Sequence, residues 1–228
     1  MPQVGTGGSP TFNADGCLID TTGADRVRAI GKRISTVQGW FAARIKFGFA
    51  STEATNRRFF TYGSITTDEV FCDWSSASQV ACGRDGAGSG PIAQLTPPAF
   101  LIDTDHTVVG TWDSANVKIS WDGSVFTSVG NVRVVGNPPE RFDIGYVDFT
   151  GGTLQSNSTF RWMALGIAAL SDADAATLHA FGNSDPDWYS LPGQPIFLWK
   201  CATVDYEDGL PPDPAKIAEF PKPALRAA

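Results

Sequence analysis

Cleavage of a glycosidic bond needs two carboxyl groups flanking the scissile bond, one as nucleophile or base and one as acid. A β-strand supplies such a pair through an ExDxE or ExDxxE run, because alternate residues share a face. This chain has only five glutamates, Glu53, Glu69, Glu140, Glu207 and Glu219, and none heads such a run. The densest acidic group, Asp205, Glu207 and Asp208, adjoins a proline-rich segment and reads as solvated loop. The two histidines, His106 and His179, lie far apart, and the four cysteines, Cys17, Cys72, Cys82 and Cys201, form no CxxC pair. That spacing does not build a zinc site or a redox motif. Gly83–Gly90 reads GRDGAGSG, rich in glycine but without the Lys-Ser/Thr of a phosphate loop, and no GxSxG elbow occurs. The expectation is a protein that is not an enzyme, with no catalytic residue and no cofactor.

Binding is a different demand. A sugar needs an exposed aromatic platform with polar groups beside it, and Trp74 and Trp112 are the candidates for that platform. Trp121 alternates with Ile119 and Val117 and is assigned to the core, as are Trp40 and Trp162. Trp188 and Tyr189 present apolar bodies with polar tips, which suits a contact between subunits.

The elements that must carry these residues are short strands. Turn signals interrupt the apolar stretches at roughly 8–12-residue spacing, as in a sandwich or barrel. Expected strands are 26–30, 39–49, 58–63, 70–74, 79–82, 100–102, 107–113, 116–121, 124–129, 141–147, 159–168 and a segment near 195–201. Cys72 and Cys82 face each other if FCDW and QVACG form a hairpin around SSAS, while Cys17 and Cys201 meet only if the terminal strands pair. Buried reduced thiols are the expected state. Ser171 before DADAATLHAF, with Asp174 three residues on, predicts a capped helix; Leu170, Leu178 and Phe181 form its stripe and Gly182 stops it.

Composition agrees. Twenty-four glycines and 15 prolines in 228 residues leave little room for long helices, and 11% aromatics with 42% apolar residues argues against disorder. A chain of this size can bury about 70% of its surface without metal or disulfide staples. A net charge of −7 argues against a nucleic-acid partner, which needs a basic face. The longest apolar run, Trp162–Leu170, is too short for membrane insertion as a helix, which takes about 20 residues. The start, MPQVGTGGSP, has neither the basic nor the apolar region of a secretory signal. Three regions are expected: a flexible lead-in at 1–11, a domain at 12–208, and a Pro-rich arm or tail at 209–228. Ile217, Phe220 and Leu225 are that arm's candidate anchors on a neighbouring subunit.

Four pieces, in order, resemble the laminin G-like branch of concanavalin A-like lectin/glucanase domains. HTVVGTWDSANVKISWDG (His106–Gly123) is similar to that family's "H-V-A-G-T-W-D-G … L-x-L-Y-V-D-G" stretch. RFDIG (Arg141–Gly145) resembles its "x-I-G" strand, and ALSDADAATLHAFG (Ala169–Gly182) its "A-L-S-D-A-E-I" step from strand to helix. DRVRAI followed by GWFAARIKF resembles its first strands. The resemblance runs from Phe12 to Gly182. It implies an all-β fold, a jelly-roll sandwich of two antiparallel sheets with one short helix. The chain departs from the pattern in TFRWMALGIAALS, where Arg161 and Trp162 stand at positions usually acidic. Some relatives bind calcium at the sandwich rim; Asp103, Asp105, Asp113 and Asp122 are available here, though no fixed calcium loop is present. His106 occupies a position where the non-catalytic pattern also carries histidine.

GWFAARIKFGFAS, HTVVGTWD and DADAATLHAFGNSDP together resemble minor tail and other virion-surface proteins of long-tailed bacteriophages. That implies a virion structural protein with a lectin-like domain, reaching the exterior without a signal peptide. Its partners would be other virion proteins or copies of itself, and host cell-surface polysaccharide. The alternatives are a capsid decoration or tail-stabilising protein without glycan binding, and a glycan-cleaving enzyme.

Overall fold

The computed structural model describes residues 3–4, 10–13, 15–20, 27–30, 37–63, 69–85, 90–130, 141–149, 152–201 and 206–208. In chain order the strands are β1 (Gln3–Val4), β2 (Thr11–Asn13), β3 (Gly16–Ile19), β4 (Val27–Ile30), β5 (Gly39–Phe47) and β6 (Arg57–Gly63). Next come β7 (Glu69–Ser75), β8 (Gln79–Asp85), β9 (Ile92–Leu95), β10 (Asp105–Trp112), β11 (Asn116–Trp121) and β12 (Thr127–Gly130). The last are β13 (Arg141–Ile144), β14 (Tyr146–Phe149), β15 (Gly152–Gln155), β16 (Ser158–Gly166), β17 (Pro195–Lys200) and β18 (Tyr206–Asp208). The helix α1 spans Asp172–Ala180, and a 3-10 turn spans Trp188–Ser190.

Besides a separate two-stranded ribbon of β14 and β15, two large antiparallel sheets result. One has seven strands in the order β1-β4-β13-β6-β7-β8-β9. The other has nine, with the path β12-β11-β10-β5-β16-β17-β18 and with β3, carrying β2, on β16. The crossing connections and two facing sheets are those of a jelly roll, as expected. The main core lies between the sheets and follows strand alternation. Phe41, Ala43, Ile45 and Phe47 of β5 enter it, with Val117, Ile119 and Trp121 of β11 and Val70, Cys72 and Trp74 of β7. Phe41 stacks on Phe60 across the sandwich at 4.8 Å. Close packing at this density explains Gly39: a Cβ there would come within 2.6 Å of the Trp112 ring.

The nine-stranded sheet has a second apolar face. Trp40 and Ala42 of β5, Val109 of β10, and Trp162 and Ala164 of β16 pack there against Leu170, Leu178, Trp188 and Leu191. Helix α1 thus closes the outer side of the sheet. Its start is the expected capping box: Asp174 N–H donates to Ser171 Oγ at 3.3 Å and Ser171 N–H to Asp174 Oδ2 at 2.8 Å. At the other end Gly182 takes φ +57° and its carbonyl accepts the Trp162 indole N–H at 3.0 Å. Ser171→Ala should lower stability by about 1 kcal/mol, the usual worth of an N-cap. Chemical denaturation measures this, and Ser171→Asp should restore it.

Several boundaries differ from expectation. Residues 100–102 are a turn, not a strand: Thr104 Oγ1 donates to the Leu101 carbonyl at 2.6 Å and Asp103 takes φ +64°. The expected strand 141–147 is two strands, broken at Gly145, whose φ of +72° a side chain would resist. Part of the expected lead-in is strand, since Gln3–Val4 pairs with Val27–Arg28. Residues 209–228, with Ile217, Phe220 and Leu225, lie outside the described residues.

The cysteine expectations resolve physically. Cys72 and Cys82 are directly opposite in the β7–β8 hairpin. β3 and β17 do not pair; they take successive stretches of one edge of β16, which brings Cys17 and Cys201 to neighbouring positions. All four are buried free thiols. Burial pushes the Cys82 thiol up to about 12, so it stays protonated and unreactive.

Candidate functional site

The residues predicted as a sugar platform are not at the surface. Trp74 is fully buried among Phe49 and Phe100, with its indole N–H on the Glu53 carbonyl at 3.0 Å. Trp112 is buried as well, because His106, Val108, Gly110 and Trp112 share the inward face of β10. Neither can serve as a platform. Trp188 is also interior, in the layer under α1, which removes it as a subunit contact; Tyr189 beside it is 65% exposed.

A cleft with a mainly apolar lining opens at one end of the sandwich. It has a volume of about 250 Å³ and is lined by residues 95–99 together with His106, Trp121, Asp122 and Ser124. The first group ends β9 of the seven-stranded sheet, and the second belongs to β10 and the turn after β11 of the nine-stranded sheet. The cleft therefore spans both sheets, where β9 packs beside β11. Pro97 and Pro98 lack the N–H a ladder requires, so the chain leaves the sheet there. Phe100 fixes the far end of this loop. Its ring packs on Phe47, Trp74, Trp121 and His106, and its N–H donates to Ser51 Oγ at 3.1 Å.

The opposite side is a tight turn. Asp122 and Gly123 both take positive φ, +49° and +72°, as a type I′ turn demands. Helix α1 lies against this turn: a Cβ on Gly123 would approach His179 Cβ to 2.9 Å, and Phe126 N–H donates to Asp172 Oδ1 at 2.9 Å.

Asp122 is the centre of the site's hydrogen bonding. Its Oδ1 accepts the Thr107 N–H at 2.8 Å and its Oδ2 faces His106 Nδ1 at 2.7 Å. Arg44 Nη1 and His179 Nδ1 approach Oδ1 at 3.7 and 3.5 Å. Burial by itself would raise this carboxyl. The hydrogen bonds from His106 and Thr107, with the charges of His106 and His179, outweigh it and hold Asp122 below the usual carboxylate range. A carboxylate has about four acceptor positions; Oδ1 faces Thr107, Arg44 and His179, and Oδ2, facing His106, keeps one for a ligand. Ser124 Oγ accepts the Trp121 N–H at 3.2 Å and retains its own proton to donate.

His106 connects to a hydroxyl as well. Its Nε2 lies 3.0 Å from Thr104 Oγ1, so Asp122, His106 and Thr104 have the connectivity of a nucleophile, base and orienting acid. Thr104 Oγ1 donates to the Leu101 carbonyl at 2.6 Å, so its hydroxyl proton is directed away from the ring. The arrangement staples the 101–104 turn to the 121–124 turn, and His106 stacks on Trp121 at 4.5 Å.

The aspartates considered for calcium do not converge. Asp105 accepts two bonds from Arg161, at 2.6 and 3.0 Å, and Asp113 Oδ1 accepts the N–H groups of Ala115 and Asn116. Among the described residues no group of three or more His, Cys, Asp or Glu side chains could hold a metal ion. Arg161 sits at the bulge of β16 and also binds the Asp15 carbonyl at 2.8 Å. Arg161 of β16 and Asp105 of β10 thus form an ion pair across β5 within the nine-stranded sheet.

A second charged group is buried on the outer face of the seven-stranded sheet. Arg58 of β6 is 4% exposed in its side chain. Its guanidinium faces Glu69 Oε2 at 3.4 Å, Asp73 Oδ2 at 3.7 Å and Thr61 Oγ1 at 3.4 Å, and lies 4.3 Å over the Phe71 ring. Burial pushes Asp73 up to about 6, against the pull of Arg58.

No protein-family model matches this sequence, and no curated protein sequence matches it. Solved structures do match the fold. Trypanosoma rangeli sialidase, in complex with 2,3-difluoro-KDN, superposes with a TM-score of 0.55 at 13% identity over 75% of this chain and 28% of that one. The heptameric SAP-like pentraxin from Limulus polyphemus gives 0.53 at 13% identity, over 81% of this chain and 86% of that one. The binding domain of botulinum neurotoxin DC, in complex with SialylT, gives 0.56 at 11% identity over 78% and 46%. The chain thus spans under a third of the sialidase and under half of the toxin domain. The fold that the topology and these neighbours define is a jelly-roll sandwich of antiparallel sheets.

Proposed function

We propose that this domain binds saccharide in the cleft between residues 95–99 and the 121–124 turn, without cleaving it. The observation that carries the reading is the pairing of an apolar side, Leu95, Pro97 and Pro98, with Asp122 and Ser124. A sugar ring has one C–H-rich face and a rim of hydroxyls; it needs an apolar surface and paired acceptors and donors. The sialidase neighbour is solved in complex with 2,3-difluoro-KDN and the toxin domain in complex with SialylT, which gives the same fold a saccharide-binding precedent. Non-cleavage rests on the sequence, in which no glutamate heads an ExDxE or ExDxxE run. The setting on a virion surface belongs to the same proposal and rests on the sequence resemblance alone.

Ala99 lines the cleft and is exposed, so a larger residue there obstructs the site without entering the core. Ala99→Trp should weaken binding to any glycan retained on a printed array at least tenfold, with an unchanged unfolding midpoint. Undiminished binding in a folded Ala99→Trp protein contradicts the reading.

A further inference from the structure

We infer that the cleft selects an uncharged sugar residue and excludes sialic and uronic acids. The inference rests on the saccharide reading above and narrows its ligand. Among the described residues no lysine or arginine lines the cleft, and Asp122 is the one carboxylate that does. An acidic sugar would bring a second carboxylate within a few ångströms of it. Recognition of a carboxylate calls for charge-assisted donors, best of all a bidentate guanidinium. Both ring nitrogens of His106 are already engaged, Nδ1 with Asp122 and Nε2 with Thr104, so the imidazole offers no N–H to a ligand.

The neighbouring charges do not change this. Arg44 and His179 approach Asp122 from the outer face of the nine-stranded sheet, the side away from the apolar lining. Arg44 directs its donors to Asn183 and Thr107, and His179 contacts Thr107. Beyond them, Asp105 and Arg161 neutralise each other. These groups sustain the charge on Asp122 and offer no N–H to a ligand in the cleft. For a neutral sugar the same groups are well matched: Asp122 accepts a hydroxyl proton, Ser124 donates one, and the exposed Pro98 meets the C–H face. The volume, about 250 Å³, is below the roughly 300–1,000 Å³ typical of drug-sized ligands. The site therefore takes a single ring, at the end or edge of a longer chain.

The test uses the full chain and an array of matched probes, each neutral oligosaccharide printed beside its sialylated or uronate counterpart. The account expects at least one neutral member to be retained and its acidic counterpart to bind tenfold or more weakly. Both signals should fall in Ala99→Trp. Asp122→Asn, whose single carbonyl oxygen keeps the acceptor for the Thr107 N–H while its amide NH2 faces His106 Nδ1, should narrow the gap between the two members. Acidic probes bound as well as neutral ones, and lost in Ala99→Trp, overturn the selectivity and leave the saccharide reading standing. A gap unchanged in Asp122→Asn removes its electrostatic basis. Retention of no probe, or binding indifferent to Ala99→Trp, overturns the cleft reading and this inference with it.

Discussion

Replacing Arg58 with alanine is expected to destabilise the fold by about 3–5 kcal/mol at pH 7.5, the range for breaking a buried ion pair from one side. The guanidinium is nearly inaccessible and faces Glu69, Asp73 and the ring of Phe71 at once. Its removal takes away a cation that two largely buried carboxylates face, and leaves a void over Phe71. Desolvation of those carboxylates would persist while much of their attraction vanished. Urea unfolding measures the loss. The cost should shrink near pH 5, where Asp73 carries a proton and needs less compensation. A loss below 1 kcal/mol at pH 7.5 contradicts this account of the cluster.

Asp73→Asn should act in the opposite direction. Burial raises the folded carboxyl to about 6 from an ordinary value of 3.8. The folded state then binds the proton more tightly than the unfolded state. Its contribution to stability is fully present below about pH 4 and is lost as pH rises through 6. A shift of this size corresponds to roughly 3 kcal/mol between those limits. Asn removes the titration and keeps an acceptor for Arg58. The variant should match the parent near pH 4 and exceed it by up to about 3 kcal/mol at pH 7.5. Arg58 retains Glu69 in this variant, so the guanidinium is not stranded. Unfolding curves across that range decide the matter; a variant less stable than the parent at pH 7.5 means the Arg58 attraction outweighs desolvation.

The fold was legible where local rules act. The period-two pattern of Val117, Ile119 and Trp121 placed β11 with the correct face inward, and Ser171 with Asp174 placed the start of α1. The same alternation, carried along His106, Val108, Gly110 and Trp112, would have put Trp112 inside. Gly39 and Gly110 were the further signal, small residues that make room for Trp112 and Cys82. Trp74 also alternates with Val70 and Cys72. The platform assignment failed because residue type was weighed above phase.

The cleft was legible only in fragments. Pro97-Pro98 announces a chain leaving its sheet, and Asp122-Gly123 announces a tight turn. Nothing local says that these two features meet, because they belong to different sheets and join through the sandwich. His106 as a structural residue was readable, but its bond to Asp122 spans a strand pairing, β10 with β11, that had to form first. The Arg58 cluster has the same character. Arg58, Glu69 and Asp73 lie on adjacent strands, and the bulge between Arg58 and Phe60 that turns Arg58 outward leaves no mark in the sequence.

The most direct test of the cleft as a saccharide site is an amide and indole chemical-shift map of the folded chain titrated with an array-selected neutral oligosaccharide. The account predicts perturbations concentrated at Thr96, Ala99, His106, Trp121, Asp122 and Ser124. A footprint centred elsewhere, such as Phe71, Asp73 and Gly83 on the outer face of the seven-stranded sheet, would contradict it.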